Sequence, residues 1–235
     1  MLENCLLMAG TDTDVGKTVV SSALIAYWRS FLPMSRLGVI KLLQTGVGDR
    51  QWYEQFCDDR TTLSVPIEFD TPVAPPVAAQ LENRSIDLGV VWQALQNLRN
   101  NHDFVIAESL GSLGSPVTDE LVVADLAGEW RLPTVLVVPV RLGSIGQAIA
   151  QVSLARERKV NLKGIILSCD TRDSPAKIED LAPPMMLQRL TQIPVLGVMP
   201  YVENLGDRQT LAKIVSGWNI DALFPQVYLN FVKSA

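Results

Sequence analysis

Residues Gly10–Thr18 read Gly-Thr-Asp-Thr-Asp-Val-Gly-Lys-Thr. A short apolar run, Cys5–Ala9, precedes them, and Lys17–Arg29 follows with helical spacing. A turn of this composition between a buried strand and a helix lets backbone N–H groups at the helix start grip phosphate oxygens. The nucleotide-binding candidates are therefore Thr13, Asp14, Val15, Gly16, Lys17, Thr18 and Val19. Lys17 would set its ammonium against the β- and γ-phosphates, and the Thr18 hydroxyl would ligate Mg²⁺. The strict motif has a glycine five residues before Gly16; this chain has Thr11 there, and the glycine stands one place earlier, at Gly10.

A loop of this kind belongs in an alternating α/β chain, and the rest of the sequence agrees. Short runs, apolar on both sides of their pleat, recur at Cys5–Ala9, Leu37–Lys41, Phe104–Ala107, Thr134–Val138, Gly164–Ser168 and Val195–Met199. Strands buried on both faces of a parallel sheet read this way. Helices are predicted over Lys17–Arg29, Arg50–Cys57, Leu88–Arg99, Asp119–Glu129, Ile145–Arg158, Lys177–Leu190 and Asp207–Ser216. The expected fold is one α/β domain over residues 1–235. It is a doubly wound, mostly parallel β-sheet with helices on both faces, of the P-loop NTPase type. Pro133 and Pro194 stand just before strands, where no sheet donor is lost. Thr61–Asn83, with Asp70-Thr-Pro-Val-Ala-Pro-Pro, reads as a structured loop over the sheet's edge.

Composition narrows the function classes. The formal net charge is −5, and no basic run offers a footprint for nucleic acid or an anionic membrane. Arg156–Lys159, which includes Glu157, reads as a solvated helix end. Cys5, Cys57 and Cys169 lack metal-ligand spacing. Met-Leu-Glu-Asn leads into the first strand without a basic n-region, and no apolar run approaches the ~20 residues of a membrane span. A soluble cytoplasmic protein is expected. The single histidine, His102, is expected to face solvent.

Further candidates sit at strand–helix junctions, where ligands gather in open α/β sheets. Lys41 ends the second strand. Glu108 follows Phe-Val-Ile-Ala, so a carboxylate closes a buried strand, which is costly unless it serves a metal or a hydrogen-bond network. Thr18, Asp49 and Glu108 together supply a hydroxyl and two carboxylates suited to Mg²⁺. Asp49 has a second reading as cap of the helix that begins near Arg50. Asp14 stands just before the first helix, where the dipole favours a negative charge. Gly143, Ser144 and Ile145 open a helix after the fourth core strand, where free N–H groups could hold a carboxylate.

These motifs resemble the dethiobiotin synthetase family. Gly10–Thr18 is similar to its phosphate loop, and Val39-Ile-Lys-Leu-Leu-Gln-Thr-Gly46 to its second-strand motif. Ala74-Pro-Pro-Val-Ala-Ala, Glu108, Arg141-Leu-Gly-Ser-Ile and Val195-Leu-Gly-Val-Met-Pro resemble further family segments, in order from about residue 5 to 205. The resemblance implies closure of the ureido ring of dethiobiotin from 7,8-diaminopelargonic acid, CO₂ and ATP with Mg²⁺. It implies catalytic roles for Lys17 and Lys41, and a place near the metal and substrate for the acidic loop residue Asp14, beside its reading as a charge favoured by the helix dipole. Thr45, Gly111, Gly143, Ser144 and Ile145 become substrate-binding candidates, and Ser168, Pro200 and Tyr201 candidates beside the nucleotide base. In the family the Gly143–Ile145 loop comes from the neighbouring subunit, so a homodimer is expected. Leu42 replaces a usual proline, Ser109-Leu-Gly-Ser a glycine-rich run, and Ser168 an asparagine that reads adenine. These departures leave open a related P-loop ligase with another carboxylate substrate, or a nucleotide-binding regulator without chemistry. The ParA and MinD type of P-loop protein carries a signature lysine where this chain has Asp12. Its membrane-cycling members would also need a basic amphipathic tail, and Tyr228–Ala235 has one lysine.

Overall fold

The computed structural model describes residues 4–224; the readings placed on Met1–Glu3 and on Tyr228–Ala235 lie outside them. In chain order the strands are β1 (Cys5–Gly10), β2 (Leu37–Lys41), β3 (Gln44–Thr45), β4 (Thr61–Ser64), β5 (Glu68–Phe69), β6 (Phe104–Ser112), β7 (Pro133–Pro139), β8 (Asn161–Ser168) and β9 (Val195–Met199). The helices are α1 (Lys17–Phe31), α2 (Asp49–Glu54), α3 (Pro75–Leu81), α4 (Leu88–Asn101), α5 (Val123–Glu129), α6 (Ser144–Glu157), α7 (Ile178–Leu181), α8 (Pro184–Thr191), α9 (Arg208–Ser216) and α10 (Ile220–Leu223). Seven strands form one sheet in the order β4-β2-β6-β1-β7-β8-β9, each pair parallel. β3 and β5 make a separate parallel pair.

Alternation along the strands explains why helices cover both faces. In β1, Cys5, Leu7 and Ala9 enter the core under α4, α5, α6 and α8, whereas Leu6 and Met8 enter the core under α1, α9 and α10. β6 divides likewise, Val105 and Ala107 against Phe104 and Ile106. Burying each large apolar side chain of this kind contributes roughly 1.5–3 kcal/mol. α1 packs along α9, and Trp28 stacks on Phe104 at 5.0 Å between ring centroids.

All six predicted strands form. Five predictions need correction. Thr61–Asn83 is not a loop: it supplies the edge strand β4, then β5 and α3. α3 opens on Pro75 and Pro76, whose fixed φ suits a first turn and whose missing N–H costs nothing there. The helix expected from Asp119 begins only at Val123, because the Thr118 hydroxyl accepts the N–H groups of Glu120 and Leu121 in a turn. The span Lys177–Leu190 is broken at Pro183–Pro184 into α7 and α8. His102 is half-buried rather than solvent-facing, its ring nitrogens 2.9 Å from Leu98 O and 2.9 Å from Thr62 Oγ1. Pro133 lies within β7, as its first residue. Cys5 and Cys169 are buried. Among the described residues no helix is long and apolar enough to cross a membrane.

Candidate active site

β1, β2, β6 and β8 end their C-terminal edges around one cleft of about 690 Å³. The turn from β1 into α1 is its floor. Gly10 answers the question of the displaced glycine: a Cβ there would stand 2.9 Å from Gly111 O and 2.8 Å from Asp12 O. The close approach of two backbones therefore falls at position 10, and Thr11 can replace the glycine of the strict motif. Gly16 has φ +89, and a Cβ on it would overlap the Ser168 hydroxyl from the end of β8. Asp14 also lies in the left-handed region, at φ 54, which aspartate tolerates better than most residues.

The charged groups meet by strand register. Lys41 and Glu108 are direct partners across the parallel pair β2–β6. Lys41 Nζ lies 2.6 Å from Glu108 Oε1 and 2.6 Å from Asp49 Oδ2. Glu108, only 1% exposed, is fully engaged. Its Oε1 also accepts from Thr18 Oγ1 at 3.1 Å, and its Oε2 accepts from Ser21 Oγ at 3.0 Å and from the Tyr53 hydroxyl. Asp49 is the first residue of α2 and does not cap it; Gly48 holds the N-cap position, and the Asp49 carboxylate turns to Lys41 and to Thr18 Oγ1, 3.4 Å away. The capping alternative for Asp49 is thereby set aside.

Lys17 is 6% exposed, and its Nζ donates to Asp12 O at 3.0 Å. Burial, with the Lys41 charge nearby, lowers its pKa to about 8 against the pull of Glu108, Asp49 and Asp14. For Lys41 burial pushes down, but Glu108 and Asp49 outweigh it, and the pKa ends above 10.5. Burial, then the Glu108 charge, raises the Tyr53 phenol well above 10, so it is a proton donor at neutral pH.

The structure brings Thr13 to Val19, Lys41, Thr45, Asp49, Glu108, Gly111, Ser168, Pro200 and Tyr201 together as lining of the cleft. Gly143, Ser144 and Ile145 do not line it. Gly143 is exposed, with open space where a Cβ would stand, and the buried Ser144 Oγ has no hydrogen-bond partner. Two contributors escaped the sequence reading, Tyr53 and Ser21. Their only signal is helical spacing: Tyr53 lies four residues after Asp49 and Ser21 three after Thr18, each on the site face of its helix. Among the described residues no three His, Cys, Asp or Glu side chains cluster as a metal site. Thr18, Asp49 and Glu108 still form an all-oxygen donor set, which fits Mg²⁺ when phosphate and water oxygens complete it.

Comparison with known proteins agrees with this geometry. A family model described as an AAA domain, AAA_26, matches residues 4–209. The chain is 55% identical to the ATP-dependent dethiobiotin synthetase BioD of Crocosphaera subtropica, over 93% of this chain and 99% of that protein. It is 53% identical to the protein of the same name from Synechocystis, over 90% of each. Among solved structures, the MinC:MinD cell division complex of Aquifex aeolicus superposes with a TM-score of 0.56 at 13% identity, covering 98% of this chain and 95% of that one; this likeness concerns the fold alone. With its phosphate loop and its Lys41–Glu108 pair in place, the chain belongs to the ATP-dependent dethiobiotin synthetase family.

Proposed function

We propose that this chain closes the ureido ring of dethiobiotin from 7,8-diaminopelargonic acid, CO₂ and ATP, as a cytoplasmic ligase of biotin biosynthesis. One substrate amine attacks CO₂ and loses a proton, giving a carbamate. A carbamate oxygen attacks the γ-phosphorus and ADP leaves, giving a carbamic-phosphoric anhydride. The second amine attacks the carbonyl carbon, phosphate leaves, and the ring is closed. The observation that carries the reading is the pair of buried ammonium groups, Lys17 and Lys41, on one cleft above the phosphate loop.

Both reacting partners are anions, so their approach needs positive charge already in place. Lys17 neutralises the β- and γ-oxygens of a triphosphate seated on the N–H groups of Thr13 to Val19. Lys41, held between Asp49 and Glu108, faces the carbamate and the oxygens that gain charge during transfer. Thr18, Asp49 and Glu108 would hold Mg²⁺, which when bound supplies Lewis-acid charge to the phosphates. Thr45 and Gly111 border the substrate end. Ser168, Pro200 and Tyr201 border the base end; Ser168 packs on Gly16 and has fewer donors and acceptors than an amide. Gly143, Ser144 and Ile145 lie outside this chain's cleft, so their contact with a substrate carboxylate requires a second copy, hence a homodimer with sites at the interface.

The deciding experiment supplies labelled bicarbonate, diaminopelargonic acid, ATP and magnesium. Label in dethiobiotin is the expected result. ATP binding without label would overturn the synthetase reading and leave another ligase or a regulator. Sedimentation at micromolar concentration should give a dimer; a monomer with full activity would remove the shared-site element.

A further inference from the structure

The four hydrogen bonds to Glu108 are not spread evenly in origin. Oε1 meets the two groups that face the cleft, Lys41 Nζ and Thr18 Oγ1. Oε2 meets two hydroxyls that lie behind the lining of the cleft, Ser21 Oγ from α1 and Tyr53 from α2. Ser21 is fully buried and Tyr53 is 1% exposed; neither lines the cleft, so neither touches a bound nucleotide or substrate. The two oxygens of the carboxylate are thus divided, Oε1 toward the cleft and Oε2 toward the helices.

We infer that Tyr53 and Ser21 are positioning residues, a two-hydroxyl clamp that fixes the rotation of the Glu108 carboxylate and so aims Oε1 at Lys41 and Thr18. The inference rests on the ring-closing function proposed above. Without the clamp the carboxylate can turn about its terminal bond, a torsion with a broad, shallow profile. Lys41 and Thr18 then lose a fixed partner together. Tyr53 carries a second duty by its place on α2. Asp49 stands four residues before it, one turn away on the same face, so the anchored phenol also sets where the Asp49 carboxylate meets Lys41. Lys41 is thus held by two carboxylates whose positions depend on one hydroxyl.

Tyr53→Phe removes one oxygen and keeps the ring in the core; Ser21→Ala removes the other donor to the same Oε2. For each variant kcat in the labelled-bicarbonate assay should fall about tenfold with KM for ATP nearly unchanged, and the magnesium needed for half-maximal ATP binding by calorimetry should rise roughly threefold, as expected when a hydrogen bond to a charged group is lost. Folded Tyr53→Phe with wild-type kcat and wild-type magnesium dependence overturns the clamp, whatever its melting temperature, since packing alone would shift only the latter. If Tyr53→Phe does not fold, Ser21→Ala decides by the same two readouts. Wild-type protein that binds ATP but yields no labelled product would defeat the synthetase reading, while the calorimetric arm still judges the clamp.

Discussion

Replacing Lys17 with methionine should make the nucleotide-free protein more stable at neutral pH while abolishing turnover. The ammonium is buried, and burial lowers its pKa from 10.5 to about 8. Below pH 8 both the folded and unfolded chains carry the proton, and the folded chain bears the whole cost of the buried charge. Between pH 8 and 10.5 the folded chain sheds the proton while the unfolded chain keeps it, so stability rises with pH; above 10.5 both are neutral and the cost is gone. Each pH unit across that window corresponds to about 1.4 kcal/mol, so the full cost is roughly 3 kcal/mol. Methionine keeps the stem but gives up the hydrogen bond to Asp12 O, worth about 1 kcal/mol. The net gain at pH 7 is about 2 kcal/mol, or ~4–8 °C in Tm for a chain of this size. Urea denaturation of both proteins, without nucleotide, at pH 7 and again at pH 10.5 measures it. The gap should close by about 3 kcal/mol and change sign at the higher pH. A gap that is flat with pH, or a variant less stable at pH 7, would refute the placement of a costly charge under the loop.

Lys41→Met acts in the opposite direction. It leaves the buried Glu108 without its cation and should cost about 3–5 kcal/mol in denaturant melts, with no detectable product. Gly16→Ala should cost more than the roughly 1 kcal/mol of a left-handed alanine, because its methyl also meets the Ser168 hydroxyl; adding Ser168→Ala should recover only the steric part. Burial raises the Cys5 thiol to about 12 and the Cys169 thiol to about 11. At pH 8 a thiol reagent should therefore label only the half-exposed Cys57 in native protein, and all three cysteines in denaturant. Rapid native labelling of Cys5 would contradict the packing of β1.

How much of this was legible depends on where each signal lives. β1, β2, β6, β7 and β8 announce themselves because the apolar stretch of each is buried on both faces; β9, an edge strand only partly buried, carries the same kind of apolar run. β4 is an edge strand with polar Thr61, Thr62 and Ser64, so it carries no such signature and passes for loop. α3 hides behind two prolines that read as breakers, though they occupy the one part of a helix where proline is welcome. In the site, the phosphate loop and the strand-end Glu108 are local patterns and could be read directly; Lys41 alone reads as an ordinary strand-end lysine, and only the family resemblance singles it out. The partnership of Tyr53 and Ser21 with Glu108 spans 55 and 87 residues and exists only after α1 and α2 have docked on β6. Asp49 allowed two compatible readings, metal ligand and helix cap, for the same reason: only the folded chain puts Gly48 at the N-cap and brings Lys41, on another element, against the Asp49 carboxylate.

Ten of the fifteen residues of α1 are buried, pressed between the sheet and α9. A rod so enclosed cannot slide or tilt without tearing open the interior, so its amide protons should be among the slowest in the molecule to exchange with deuterium. The anchorage under the phosphates is then a fixed stage. Whatever swings aside to admit fresh nucleotide and discharge the spent one is to be sought in the walls, around residues 72–75 and 200–205, which line the cleft from outside the main sheet.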